Sequence, residues 1–169
     1  DVSTLSSFFI MAFPMDSPMN GKTKIFSDCA VVVSPTSEQL AEIAIRAAKN
    51  GGKFLMNELP RVAMLSFSTK GSSKVKEASI VSDALKIIHN NVNNNGIADH
   101  GYIYDGELQL DAAIMPHVAA SKAPCSPLEG HANVLIFPNL SAGNIGYKMA
   151  ERMAGAVAVG PILQGLAHP

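Results

Sequence analysis

The stretch VAMLSFSTKGSS, Val62 to Ser73, decides the fold. Val62 to Phe67 is a short, continuous apolar run, the pattern of a parallel strand buried on both faces. It opens into Ser68-Thr69-Lys70-Gly71-Ser72-Ser73, a small polar loop. A helix follows, with Ala78, Val81, Leu85 and Ile88 on one side. The same order recurs downstream. Ile103 to Leu110 is strand-like, with an Asp105-Gly106 turn or bulge inside it, and Asp111 to Ala120 has a helical pattern. Ala123 to Pro127 is a rigid loop. Asn133 to Phe137 is a buried strand ended by Pro138. Ala142 to Ala154 is a helix with Ile145, Met149 and Met153 four apart. Ala156 to Leu163 is strand-like. Alternating strands and helices predict an α/β architecture with a mostly parallel sheet covered by helices.

Upstream, Ser6 to Phe13 and Ile25 to Val33 are apolar runs joined by a turn-rich segment, Asp16 to Gly21. They read as a hairpin or as adjacent strands. Thr36 and Gln39 have capping-box spacing. Leu40, Ile43, Ala44, Ala47 and Ala48 then lie on one helical face, and Gly51-Gly52 stops the helix. Residues 90–95 hold five asparagines in six positions. Asparagine competes for the backbone, so this run predicts an exposed loop.

The composition excludes several classes. The chain has 169 residues, enough for one domain or a large piece of a two-domain protein. It is 47% hydrophobic and 16% charged, which excludes extensive disorder. A formal net charge of -1 supplies no field for nucleic acid or an anionic membrane. No apolar stretch reaches the roughly 18 residues of a membrane helix. The chain begins with Asp1 and carries no leader signal, so it reads as a piece of something longer. Cys29 and Cys125 are expected as reduced, partly buried thiols. No Cys/His ligand spacing points to zinc, and His89, His100, His117, His131 and His168 are scattered.

Ligands in open α/β sheets bind beyond the carboxyl ends of the strands, and three loops qualify. Ser68 to Ser73 offers hydroxyls, a lysine and a glycine, expected at a helix N-terminus where an anion could sit. It is neither a Walker loop nor GxGxxG, and a plain helix cap explains it equally well. Pro138 to Lys148 sets Asn139, Ser141 and Asn144 around Gly143, with Lys148 one helical turn past Asn144. Gly160 to Gly165 closes the last strand, and its Gly-Pro suggests a bend. Asp105, Glu107 and Asp111 fall on one strand face by alternation. Three carboxylates there suit metal or acid/base work, or simply an exposed face. No GxSxG nucleophile elbow is present.

Several runs together resemble the bacterial and archaeal phosphotransacetylases: AMLSFSTKGS at 63–72, DGELQLDAA at 105–113, VAASKAPCSP at 118–127, ANVLIFPNLSAGNIGYK at 132–148 and GPILQGLAHP at 160–169. SSFFIM at 6–11 and Pro35 to Ile43 fit too. The likeness spans nearly the whole chain outside the Asn-rich insert. It implies an α/β three-layer sandwich similar to the isocitrate and isopropylmalate dehydrogenases, and the second domain of a two-domain, homodimeric, cytoplasmic enzyme. That family exchanges an acetyl group between coenzyme A and phosphate, with CoA as substrate and no metal or redox cofactor. The implied partners are CoA or acetyl-CoA and phosphate, with no nucleic acid and no membrane.

The resemblance has gaps. The family's Asp-Leu-Ser-Arg-Gly motif, whose Ser and Arg are catalytic, would follow Pro169. Asp16 stands where some members carry a cysteine, and Arg46, Arg61 and Arg152 match none of the family's arginines. No catalytic residue is therefore carried over, and the 169-residue piece is expected to be inactive alone. What carries over is a cleft wall that binds substrate: Ser68, Thr69, Lys70, Gly71, Ser72, Asn144, Lys148, Arg152, Gln164 and Gly165. Two alternatives stay open on sequence. One is an acetyl-CoA-sensing regulatory domain of the kind fused to malic enzymes. The other is a phosphate butyryltransferase.

Overall fold

The computed structural model describes residues 4–94 and 101–166. Asn95, His100 and His168 lie outside them. Six strands form one sheet: β1 (Ser6–Ala12), β2 (Thr23–Ser27), β3 (Arg61–Leu65), β4 (Ile103–Leu108), β5 (Val134–Ile136) and β6 (Val157–Gln164). Five helices accompany them: α1 (Ser37–Gly51), α2 (Lys76–Asn94), α3 (Leu110–Ile114), α4 (Pro116–Lys122) and α5 (Leu140–Ala154). The strand order is β4-β3-β5-β2-β1-β6. The pairs β4-β3, β3-β5 and β5-β2 are parallel, while β1 runs antiparallel to both β2 and β6. The alternation from Val62 onward is thus the α/β sheet it predicts, and the two N-terminal runs form a hairpin.

Alternation along the central strands sorts side chains into two cores. Ile25, Val62, Met64, Val134 and Ile136 point to the face covered by α1 and α2, where Leu40, Ile43, Ala44, Val81 and Ile88 meet them. Phe26, Ala63, Leu65, Leu108 and Leu135 point to the other face, against Ala112 and Ala113 of α3, Val118 of α4 and Ala150 of α5. A sheet with helices on both faces is a three-layer sandwich. Val62, Met64 and Ile136 are each fully buried. Removing each such side chain from water stabilises the fold by about 1.5–3 kcal/mol. The Thr36–Gln39 capping box forms as read, with both reciprocal hydrogen bonds present.

Five expectations need correction. The run Ile25 to Val33 is strand only to Ser27, because the Asp28 carboxylate captures the amides of Ala30, Val31 and Val32. Residues 90–94 are not a loop but the last turn of α2. Ile88 is fully buried beside exposed His89 and Asn90, so the helix is already anchored and propagates through weak formers on its wet side. Asp111 to Ala120 is two helices, because Pro116 cannot continue α3 and instead starts α4. The buried run read over Val62 to Phe67 ends at Leu65, and Phe67 is exposed. The bend read at Gly160-Pro161 is present, as a register shift of edge strand β6 between Phe8 and Ile10. Cys29 is fully buried and Cys125 exposed, so the two free thiols are not alike. Among the described residues no helix is long and apolar enough to cross a membrane.

Candidate functional site

The strand directions gather the loops at 28–33, 66–73, 109 and 137–139 at one edge of the sheet, with Ser6 and Gln164 beside them. This is the carboxyl edge of every strand except β1. Two carboxylates organise it. Asp28 follows β2, is buried, and accepts from Ser7 Oγ at 2.5 Å and from the amides of Ala30, Val31 and Val32 at 3.0, 3.3 and 2.7 Å. Ser27 Oγ in turn donates to Ser7 O at 2.6 Å. The α5 N-terminus closes on the same loop. Asn139 caps it through Ala142 N, Leu140 N donates to Val33 O, and Asn144 Nδ2 donates to Cys29 O at 3.2 Å. Gly143 permits that approach, since a Cβ there would stand 2.2 Å from Asp28 O. Burial first, and then the Asp28 charge, push the Cys29 thiol pKa well up, so it is a packed, unreactive group.

Glu107 does for the 66–73 loop what Asp28 does for 28–33. Its carboxylate accepts from Ser68 Oγ at 2.9 Å and Gly71 N at 2.6 Å, and its own carbonyl accepts from Lys70 N. Asp105, two residues before, is buried and takes Lys70 Nζ and Ser126 Oγ. The burial of Asp105 and Glu107 overturns the exposed-face alternative for those two, while Asp111 is exposed. A register shift opposite Met64 and Leu65 breaks the alternation, so Asp105 and Glu107 both turn inward. Asp111 lies instead on α3, where the hydrogen bond from Lys122 holds its carboxyl below the usual range.

The placement of the expected wall follows. Ser68 and Thr69 are buried, while Lys70, Gly71 and Ser72 are exposed. The amides from Ser68 to Ser73 are all engaged internally: 68 to Ser66 Oγ, 69 to Ser72 Oγ, 70 and 71 to Glu107, 72 to Thr69 O and 73 to Ser68 Oγ. The helix behind them starts only at Lys76, not at Ser73. What the loop presents outward is therefore hydroxyls and the Lys70 ammonium, itself paired with Asp105 and 38% exposed. Asn144 sits at the rim. Lys148 and Arg152 are exposed on α5, about 6 and 12 Å further along the helix from Asn144 at 1.5 Å per residue. Gln164 is buried, with Nε2 on Ser6 Oγ and Ile43 O and its Oε1 without a partner. Gly165 adopts a positive φ of 93° and packs on Thr4 and Arg46. β3 and β6 are four strand spacings apart, about 19 Å, so the 68–72 group and the 164–165 group flank the edge rather than meet. Sequence reading missed Asp28, Glu107 and Ser126 as organisers. An Asp placed directly after an apolar strand, with amides to follow, was the available signal for the first.

A family model described as phosphate acetyl/butaryl transferase matches residues 1–169. The chain belongs to that family. It is 50% identical over 165 residues to the phosphate acetyltransferase of Thermoanaerobacterium thermosaccharolyticum, covering 98% of this chain and 48% of that relative. Among solved structures, the EutD phosphotransacetylase from Staphylococcus aureus superposes with a TM-score of 0.87 at 47% identity, over 99% of this chain and 48% of that one. A branched-chain phosphotransacylase from Enterococcus faecalis V583 gives a TM-score of 0.75 at 26% identity, over 98% and 54%. The chain spans about half the length of the curated relatives it matches.

Proposed function

We propose that this chain serves a phosphate acetyltransferase, exchanging an acetyl group between CoA and phosphate. The observation that carries this reading is 50% identity to a phosphate acetyltransferase across 98% of the chain. The 26% identity to the branched-chain phosphotransacylase supports the acetyl over a longer-chain reading. In the exchange a thiolate sulfur bonds the acetyl carbon, the carbon–oxygen bond to phosphate breaks, and its electron pair leaves with the phosphate. No oxidation state changes, so the reading needs no redox group. Negative charge builds on the carbonyl oxygen and the leaving phosphate, and positioned donors stabilise both. This chain supplies one wall, as the second domain of a two-domain enzyme, and so does not turn over alone. Lys70 and the Ser72 hydroxyl would donate at the 66–73 loop, and Asn144 at the rim. Lys148 and Arg152 would attract the CoA phosphates, since neither is held by a close carboxylate: the one ion pair, Arg152 Nε to Glu151, is long at 3.7 Å.

A homodimer belongs to the same proposal. Val157, Val159 and Leu163 on β6 and Ile145, Met149 and Met153 on α5 are large apolar side chains, each at least half exposed, which favours a covered surface. A cytoplasmic location is supported by the two free cysteines. The test is Lys148→Ala in the full chain. The KM for CoA should rise about two- to fivefold with kcat little changed, the loss expected for one exposed charge contact. An unchanged KM removes Lys148 from the wall.

A further inference from the structure

At the opposite edge of the sheet, beside the amino ends of β2, β3 and β5, lies a cavity of about 430 Å³. Ile25, Val134 and Val62 pair side by side across β2, β5 and β3. The residues one step before them, Lys24, Asn133 and Arg61, therefore form a row on the other face of the sheet. They line the cavity together with Lys22, Glu58 and His131. Lys24 is 5% exposed, and for its three donors one acceptor is found, Ala132 O at 2.5 Å. Arg61 uses one amine on Pro127 O and Leu128 O, and its Nε is buried without a partner among the described residues. Asn133 is satisfied, by Arg61 N, Glu58 and Leu59 O. Three cations thus face one carboxylate, Glu58, around a cavity whose other wall, with Met19, Ile114 and Met115, is apolar, and two of the cations have unused buried donors.

Taking buried ammonium and guanidinium donors out of water without acceptors is unfavourable. The deficit here is of acceptors and of negative charge, with Lys22, Lys24 and Arg61 set against Glu58 alone. A phosphoryl group carries about -1.5 to -2 near pH 7 and offers three oxygens in a tetrahedral spread. That suits donors converging from separate strands better than a planar carboxylate does. We propose that this cavity binds a small phosphoryl dianion, with Lys22, Lys24 and Arg61 as its cationic wall. The site is separate from the carboxyl edge, since Arg61 and Ser66 stand at opposite ends of β3, about 16 Å apart. It therefore does not depend on the acetyl-transfer reading.

The test titrates the full chain with inorganic phosphate at pH 7 and follows the His131 ring resonances. A saturable shift is expected by about 10 mM phosphate. Lys22→Gln, on the surface, should weaken it about threefold, and Lys24→Met should abolish it. Lys148→Ala should leave it unchanged, which separates this site from phosphate bound at the carboxyl edge. No saturable shift of His131, or the same shift in the Lys22 and Lys24 variants, overturns the proposal. Equal or tighter saturation by succinate overturns the phosphoryl assignment. If Lys24→Met fails to fold, the Lys22→Gln comparison decides the outcome alone.

Discussion

Replacing Lys24 by methionine removes a lysine whose charge the fold makes expensive. Burial, with a smaller push from Lys22 and an opposing pull from Glu58, lowers its pKa from 10.5 to about 8. A depressed lysine pKa means that the folded state binds the proton less tightly than the unfolded state. The cost of carrying that proton is present in full below about pH 8. It is relieved as the pH rises from 8 to 10.5, where the unfolded chain still holds the proton and the folded chain does not. At 1.36 kcal/mol per unit the cost is about 3 kcal/mol at pH 7, and it falls to about 1 kcal/mol by pH 10. Methionine matches the stem and carries no charge, but it leaves Ala132 O without its donor, a loss of about 1–2 kcal/mol. Lys24→Met should therefore be the more stable protein by about 1–2 kcal/mol at pH 7 in urea unfolding. The advantage should vanish or reverse by pH 10. A variant less stable at pH 7, with a difference from the parent that does not move between pH 7 and 10, would refute the reasoning. The same substitution is expected to abolish the anion site, so stability gained and binding lost would trace to one ammonium.

Three further outcomes follow from the carboxyl edge. Asp28→Ala strands the Ser7 hydroxyl and three amides and should cost about 3–5 kcal/mol in urea unfolding; Asp28→Asn, which keeps an acceptor oxygen in place, should recover roughly half. Glu107→Ala should speed hydrogen exchange at Gly71 and at its neighbours in the 68–73 loop about 10- to 100-fold, with exchange in the β3 core unchanged; equal acceleration in both would mean global destabilisation instead. A thiol reagent should titrate one cysteine at once in the native protein, Cys125, and reach Cys29 only on unfolding; two fast thiols would contradict the burial of Cys29.

The fold was legible where a single periodicity ran uninterrupted. Val62 to Leu65 and Val134 to Phe137 read as doubly buried strand segments because no polar residue breaks them, and α1 announced itself through Thr36, Gln39 and its apolar face. Legibility failed where a side chain or a proline redirects the backbone. Asp28 ends β2 at Ser27, six residues short of the apolar run's end at Val33. Glu107 sits at an irregularity that turns an apparently exposed carboxylate inward, and Pro116 divides one helical pattern in two. Each is a local competition between side-chain and ladder hydrogen bonds, or a lost donor, that hydrophobic periodicity does not encode. The candidate site divides the same way. Position in the chain placed the 66–73 loop and α5 at the carboxyl edge, but the engagement of every amide from Ser68 to Ser73 shows only in three dimensions. Lys24 and Arg61 could be paired only once β5 was seen to lie between β2 and β3.

That engagement separates this edge from phosphate sites built on free backbone amides. In a glycine-rich phosphate loop the amides themselves face the ligand. Here the Asp28 carboxylate after β2 takes the amides of Ala30, Val31 and Val32, and the Glu107 carboxylate at the end of β4 takes that of Gly71. The loops are held in shape by charge-assisted hydrogen bonds, and the amides of 30–32 and 68–73 are spent. On the proposed reading, anion recognition at this edge would fall to side chains: the Ser72 hydroxyl, the Lys70 ammonium that Asp105 partly neutralises, and the cations of α5. Exposed side-chain charges are screened at a Debye length of about 8 Å in physiological salt, whereas enclosed amide dipoles are not. If Lys148 and Arg152 hold CoA as proposed, its affinity should for that reason weaken steeply with ionic strength, while the positioning set by Asp28 and Glu107 should not.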